Sequence, residues 1–299
     1  MKYLYYPGCS LKSTGRAYEE SILAVFKTLA ISLEEIDDWN CCGATAYMAV
    51  DECKAFAIAA RNLALAEKQF KDEPEVHIVA PCSACFMVLL KTIHYMNTHK
   101  EIGQNIRKVL SEAGLKFENR VKIRHPLDVL VNDYGMDNLM RAIKNPLKGL
   151  RAASYYGCQT VRPFESFDSN RNPMTMDKIV QALGGQPVDW SLKTRCCGAS
   201  LTGTIPEVGL RLSYIILHEA QQHHADVVVT ACPLCQFNLE CYQKKMTSAF
   251  GHKIDIPVMF FSQLLGKALG IPESDLGVKR LFVKPSKIHS GQGGKRVYV

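Results

Sequence analysis

The chain has 299 residues, 47% hydrophobic and 22% charged, a balance that excludes wholesale disorder and leaves room for one large or two medium domains. Its net charge of +7 would suit a nucleic-acid partner, but six basic residues (Lys279, Arg280, Lys284, Lys287, Lys295 and Arg296) lie beyond the last acidic one, Asp275. The remaining body carries 30 basic against 29 acidic residues, so it lacks the excess that a basic face for nucleic acid needs, and that partner is set aside.

Taken in order, Lys2–Tyr6 reads as a short strand ending at Pro7-Gly8, which delivers Cys9 into a loop. Tyr18–Ala30 has helical apolar spacing, Ser32–Ile36 is a second strand, and the Cys41-Cys42-Gly43 loop follows Trp39-Asn40. Asp51–Phe70 is a long alanine-rich helix with lysines at its end, where the helix dipole favours them. Val76–Ala80 has strand length, and Pro81 opens a helix, a place where its missing N–H costs nothing. Helical patterns with a strand at Val121–Ile123 then lead to a turn-rich connection at Asn145–Gly149. After it the order repeats: strand Arg151–Tyr156, Cys158, helix Thr175–Leu183, the Cys196-Cys197-Gly198 loop, helix Pro206–His223, strand Asp226–Thr230, and a helix opened by Cys232-Pro233. A strand–helix unit, Ile256–Leu269, precedes the basic tail.

Strands alternating with helices predict an α/β protein with mainly parallel sheets. The halves are offset by 149 residues at Cys9 and Cys158, by 155 at Cys41 and Cys196, and by 150 at Cys82 and Cys232. Offsets that drift and return describe a duplicated frame with different loops. The expected division is a first half over 1–148, a pseudo-symmetric second half over 149–275, and a tail over 276–299 that is either disordered or docks on an acidic partner.

No segment reaches the roughly 20 uninterrupted apolar residues of a membrane span. The nearest, Ile256–Leu269, is broken by Ser262, Gln263 and Lys267, and the first residues show no signal-peptide core. A cytoplasmic chain without direct membrane insertion is expected. In a reducing compartment, regularly spaced thiols read as metal ligands or redox groups rather than disulfides.

Ten of the twelve cysteines fall into two matching sets: Cys9, Cys41, Cys42, Cys82 and Cys85, then Cys158, Cys196, Cys197, Cys232 and Cys235. In an open parallel sheet, ligand sites collect beyond the carboxyl ends of the strands, where all these cysteine loops should lie. The Cys-x-x-Cys pairs begin helices, whose free N–H groups and dipole stabilise thiolates. Five thiols, two of them adjacent, exceed the four a tetrahedral zinc or an ordinary [4Fe–4S] cluster takes, and suit a multi-iron centre in each half. Structural zinc and redox dithiols remain the other readings. Cys53 and Cys241 lie outside the sets and read as buried free cysteines. The nine histidines show no ligand spacing. Lys12, Arg16, Arg162 and Lys193 flank the cysteine loops, where they would either attract anions or stay solvated.

Tyr6-Pro7-Gly8-Cys9, Cys41-Cys42-Gly43-Ala44, Pro81-Cys82-Ser83-Ala84-Cys85 and their counterparts Tyr156-Gly157-Cys158, Cys196-Cys197-Gly198-Ala199 and Ala231-Cys232-Pro233-Leu234-Cys235 resemble the duplicated CCG signature. Over residues 1–270 the chain resembles the B subunit of heterodisulfide reductase. The resemblance implies two non-cubane [4Fe–4S] clusters, one on each five-cysteine set, facing a shared site for an anionic thiol or disulfide substrate. It implies an oxidoreductase complex with two further components, one ferredoxin-like and one flavin-containing. The reaction would be reductive cleavage of a mixed disulfide, such as that of coenzyme M and coenzyme B in methanogens, or the reverse thiol oxidation. Methanogen members have proline after the first cysteine pair where this chain has Gly43. A non-catalytic electron-transfer role toward another thiol, sulfur or quinone-linked partner therefore stands beside the first reading.

Overall fold

The computed structural model describes residues 2–44 and 46–285. Strand β1 (Lys2–Tyr5) is buried from its second residue on, and Gly8, at φ +65°, turns the chain into a one-turn helix, α1 (Gly8–Leu11). Cys9 therefore sits on a helical turn, not in the loop its surroundings suggest. Helix α2 (Arg16–Thr28) buries Tyr18, Ile22, Val25 and Phe26, the face its apolar spacing predicts. Strand β2 (Ser32–Glu35) leads through the Cys41-Cys42 loop to the short α3 (Ala46–Val50) and then α4 (Glu52–Gln69). Asp51 caps α4 by accepting from the Lys54 N–H at 3.0 Å, and the fully buried Ala55, Ala59, Ala60 and Ala64 let that helix pack closely. Strand β3 (Val76–Val79) ends just before Cys82, the residue that precedes α5 (Ser83–Thr98). The half closes with α6 (Lys100–Glu112), β4 (Val121–Arg124), the turn α7 (Pro126–Asp128), a π-helical stretch at Val129–Gly135 and α8 (Met136–Ala142).

The second half repeats the plan with β5 (Arg151–Tyr155), α9 (Thr175–Ala182), β6 (Gln186–Pro187), α10 (Pro206–Gln222), β7 (Val227–Thr230), α11 (Pro233–Cys241), α12 (Gln243–Phe250), β8 (Val258–Phe260) and α13 (Phe261–Ala268). Prolines open α10 and α11 at the position where a helix tolerates them. Nothing in the local residues marks β6, a two-residue edge strand half made of proline.

The strands form two four-stranded sheets of identical order, β2-β1-β3-β4 and β6-β5-β7-β8, with every pairing parallel. The expected α/β duplication is thus the architecture observed. All four residues of β7 are buried, as a central parallel strand covered on both faces requires. The strand order changes direction between β1 and β3 in one sheet and between β5 and β7 in the other. That switch point leaves a crevice at the carboxyl ends of the two strands.

The halves share a core. Helix α2 packs on α13, the Ser21 and Ser262 hydroxyls meet at 2.7 Å in the buried contact, and Tyr18 stacks on Phe260 with ring centres 4.4 Å apart. Beyond α13 the chain folds back over this contact: Leu276 and Leu281 are buried, Gln263 Nε2 donates to the Leu276 carbonyl at 3.0 Å, and Arg280 pairs with Glu20. Lys287, Lys295, Arg296 and the Gly291–Gly294 run lie outside the described residues.

Glu240 of α11 is buried where that segment crosses, accepting from the Val283 N–H at 3.2 Å and from Gln236 Nε2 at 2.6 Å. Burial pushes its carboxyl up to about 7 against these opposing hydrogen bonds. Because the folded chain holds the proton more tightly than the unfolded chain, the associated stability is full below about 4.5, the ordinary carboxyl range, and is lost as pH rises through 7. Glu240→Gln should stabilise the protein above pH 7 by on the order of 2–3 kcal/mol and flatten its stability between pH 5 and 8. Urea unfolding across that range measures both effects.

Candidate metal centre

Each cysteine loop leaves the carboxyl end of a strand, and the local sequence explains how it is held. In the first half, the Tyr6 hydroxyl donates to the Asn40 carbonyl at 2.7 Å, and the Asn40 N–H donates to Asn62 Oδ1 of α4 at 2.9 Å. Arg61 adds a bond to Asn40 Oδ1 at 2.9 Å. These ties fix the backbone immediately before Cys41. Gly43, at φ +76°, then turns the loop into α3. In the second half the Tyr155 hydroxyl, at the position equivalent to Tyr6, donates to the Arg195 carbonyl at 2.6 Å. Asn238 Nδ2 and Ser213 Oγ both donate to the Cys197 carbonyl at 2.8 Å.

The sulfurs converge in pairs. Cys42 and Cys85 lie 3.2 Å apart and Cys9 and Cys41 3.8 Å apart, while Cys197 and Cys235 are separated by 3.6 Å. Cys196 and Cys158 also share a hydrogen bond, which lowers the first and raises the second. In both halves the Cys-x-x-Cys residues are buried, whereas Cys9, Cys41 and Cys196 are exposed and Cys158 is half-buried. A Cβ on Gly8 would stand 2.8 Å from Cys85 Sγ, and one on Gly157 would stand 2.9 Å from Cys235 Sγ. Only glycine lets the β1 and β5 loops pass that close to sulfur, and both residues have positive φ.

Crowding splits the acidities. The Cys41 thiol, and after it Cys85, holds Cys42 down to about 4, while Cys41 and Cys85 are pushed upward mainly by sharing with Cys42. The bond from Cys158 brings Cys196 to about 6, and the bond from Cys235 brings Cys232 to about 7. Each set thus holds anionic sulfur stabilised by neighbouring S–H groups, the donor chemistry that thiophilic metals replace. Among the described residues, no three His, Cys, Asp or Glu side chains are spaced for a single metal ion. Paired sulfurs around a glycine cradle fit a larger sulfur-bridged centre.

The two sets meet. The Ser83 hydroxyl, next to Cys82, contacts Thr160 Oγ1 of the second half at 2.6 Å and the Ala231 carbonyl at 3.4 Å, and it lowers Cys232. A pocket of about 510 Å³ opens over Cys158, Cys196, Cys197, Cys232 and Cys235, with Ala49 and Ser83 of the first half in its wall. A neighbouring cavity of about 450 Å³ is lined by Cys158, Cys196, Arg162 and Arg195. Thr194 and the Asn170 carbonyl hold the Arg162 guanidinium.

The other flanking cations behave differently. Lys193 is buried in a 2.9 Å ion pair with Asp177, so it is neither a solvated loop charge nor free to meet an anion. Lys12 pairs with Glu19 and Glu35, and Arg16 lies 3.7 Å from Glu20. Cys53 is exposed and Cys241 half-buried, which corrects the expectation that both are buried, because α4 turns Cys53 away from its alanine face. Thr160 and Arg195 belong to no motif, and the sequence carries no sign of their place at the site. Only the repeat offset from Tyr6 to Tyr155 could have pointed to the loop-holding tyrosines.

The cysteine-rich domain model called CCG matches residues 3–90 and again 152–240. The chain belongs to this CCG cysteine-rich family, which includes the B subunit of heterodisulfide reductase. It is 31% identical to the 8-methylmenaquinol:fumarate reductase membrane anchor subunit of Wolinella succinogenes, over 96% of this chain and 99% of that one. It is 29% identical to a protein of Archaeoglobus profundus that is like the B subunit of heterodisulfide reductase, over 93% and 94% of the two chains. Identity to the B subunit of the ferredoxin:CoB-CoM heterodisulfide reductase of Methanosarcina mazei is 27%, over 93% and 92%. A crystal structure of a hypothetical protein from Helicobacter pylori shares the fold with a TM-score of 0.75 at 13% identity, covering 95% of this chain and 52% of that one. No helix among the described residues is long and apolar enough to cross a membrane.

Gly8→Ala and Gly157→Ala should each lower the unfolding free energy by about 1–3 kcal/mol and displace the facing sulfur. Gly114→Ala, with φ +68° but open space around the added methyl, should lose only the backbone part. Denaturant titration of the three variants side by side tests this ordering.

Proposed function

We propose that this chain is the iron–sulfur subunit of a heterodisulfide-reductase-like oxidoreductase complex. The observation that carries the reading is the pair of five-cysteine sets, each drawn together at a sheet switch point and meeting at Ser83, Thr160 and Cys232. Cys9, Cys41, Cys42, Cys82 and Cys85 would hold one [4Fe–4S] centre in the half spanning 1–148. Cys158, Cys196, Cys197, Cys232 and Cys235 would hold the other in the half spanning 149–275. A non-cubane arrangement uses all five thiolates of each set. Such centres supply one-electron transfer and a Lewis-acidic site for a sulfur anion.

The protein's own residues define what approaches. The pocket over the second set admits a substrate to Cys158 and Cys196, which are more open than the buried Cys232 and Cys235. Arg162 and Arg195, beside the same cysteines and in no ion pair among the described residues, favour an anionic thiol or disulfide. Cleaving a disulfide takes two electrons and two protons and yields two thiols. The electrons would come from partner proteins in the cytoplasm, a ferredoxin-like one fed by a flavin-containing one. The exposed Lys279 and Lys284, with Lys287, Lys295 and Arg296 further along, would dock on an acidic face of such a partner.

A second reading has its own support. One relative that matches almost end to end is a subunit of a quinol-linked reductase, so this chain would instead pass electrons to or from a quinone-linked partner without cleaving a disulfide.

Anaerobically purified protein should contain iron and acid-labile sulfide; zinc in their place would refute the cluster assignment. With a reduced dye and a mixed disulfide, the first reading expects free thiols, and Cys42→Ser or Cys197→Ser should reduce turnover at least a hundredfold while leaving the chain folded by circular dichroism. Loaded clusters with no thiol release, but with oxidation by a quinone analogue, would favour the electron-transfer role.

A further inference from the structure

The duplication lets one side of the seam between the halves be compared with the other. Ser83 follows Cys82 as Pro233 follows Cys232, and Thr160 stands two residues after Cys158 as Leu11 stands two after Cys9. On one side Pro233, at the start of α11, lies against the segment of α1, which ends in Leu11. On the other, Ser83, at the start of α5, lies on Thr160 with the two hydroxyl oxygens 2.6 Å apart. Both residues are buried. Where one side of the seam offers two apolar side chains, the other offers two hydroxyls.

Counting protons gives the bond a direction. Thr160 Oγ1 donates its single proton to the Tyr156 carbonyl at 2.6 Å, so at the contact with Ser83 it accepts and Ser83 donates. The chain from Ser83 through Thr160 to Tyr156 closes the turn that holds Cys158. In the first half the equivalent turn is the one-turn helix α1. In the second half no helix or strand lies between β5 and α9, and hydroxyls hold the turn instead. Its entry is tied within the half, where the Tyr156 and Gly157 N–H groups donate to the Lys193 carbonyl at 2.8 and 3.2 Å. The tie beyond Cys158 is anchored in the other half. Cys158 and Gln159, both on this turn, line the 510 Å³ pocket.

We propose that Ser83, a residue of the first half, is a positioning residue for Cys158, and that the second set depends on it to bind metal while the first set does not. The positioning stands on the hydrogen bonds, and its bearing on metal rests on the iron–sulfur reading of the sites.

Two measurements test this. In the metal-free chain, alkylation by iodoacetamide, mapped by peptide mass, reports how readily each thiol opens. Ser83→Ala and Thr160→Val should each speed alkylation of Cys158 by about tenfold, the scale of one buried hydrogen bond, and leave the half-buried Cys241, outside both sets, unchanged. Thr160→Ser keeps the hydroxyl and should match the wild type, while the double variant should gain nothing over either single one. Each variant breaks the same bond, so one that fails to fold leaves the other to decide. An unchanged Cys158, or equal acceleration of Cys241, would overturn the positioning role.

The second measurement is iron and acid-labile sulfide after anaerobic reconstitution in two backgrounds. With the first set disabled by Cys42→Ser, adding Ser83→Ala should lower the iron bound by the remaining set severalfold. With the second set disabled by Cys197→Ser, it should make no difference. Equal losses, or the reverse pattern, would mean that Ser83 serves its own neighbour Cys82 and would overturn the dependence. A wild-type chain that binds no iron overturns the reading of the sites, and the alkylation rates then still decide the role of Ser83.

Discussion

Within each half, a backbone carrying no side chain passes within van der Waals reach of a cysteine sulfur. Gly8 lies against Cys85 and Gly157 against Cys235, each at a positive φ that a side chain would strain as well as obstruct. The contact joins the loop after the first strand of a half to the helix after its third, across the sheet's switch point. Parallel order makes this possible, because it brings the carboxyl ends of neighbouring strands to one edge. The remaining loop is then fixed from behind by a strand tyrosine, Tyr6 or Tyr155, bonded to the carbonyl just before the cysteine pair. Three sequence regions are thereby held around one point by backbone geometry, so the sulfurs need not organise themselves.

Much of this was readable from the residues, and for identifiable reasons. Strand–helix alternation, apolar periodicity and the near-constant offset between cysteine sets report short-range constraints, and they led correctly to duplicated parallel sheets. The strands β1, β3, β5 and β7 fall where their largely apolar runs place them, and β2 falls within the expected Ser32–Ile36. What escaped was set by long-range contact. β6 exists because β5 offers it an edge, not because Gln186-Pro187 favours extension. Cys9 is helical because Gly8 turns the chain. Lys193 looked like a loop cation, yet Asp177, on a helix sixteen residues earlier, draws it inside. No local pattern announces a partner of that kind.

The same distinction separates what the two halves share from what they do not. Glycine cradles, loop tyrosines and Cys-x-x-Cys helices recur because each half needs them to gather sulfur. The surroundings have diverged. The first set's flanking cations face carboxylates, Lys12 between Glu19 and Glu35 and Arg16 near Glu20, which Arg280 shares, while Arg162 and Arg195 lie beside Cys158 and Cys196 in no ion pair among the described residues. Among the described residues, an anion approaching the second set meets two arginines that no carboxylate pairs.

Access and electrostatics point the same way. The pocket opens over the second set, yet Ala49 and Ser83 of the first half complete its wall, so neither half alone forms it. Ser83 bridges to Thr160, from the first half into the second. The second half thus supplies the sulfurs that the pocket exposes, and the first half supplies part of its wall through Ala49 and Ser83.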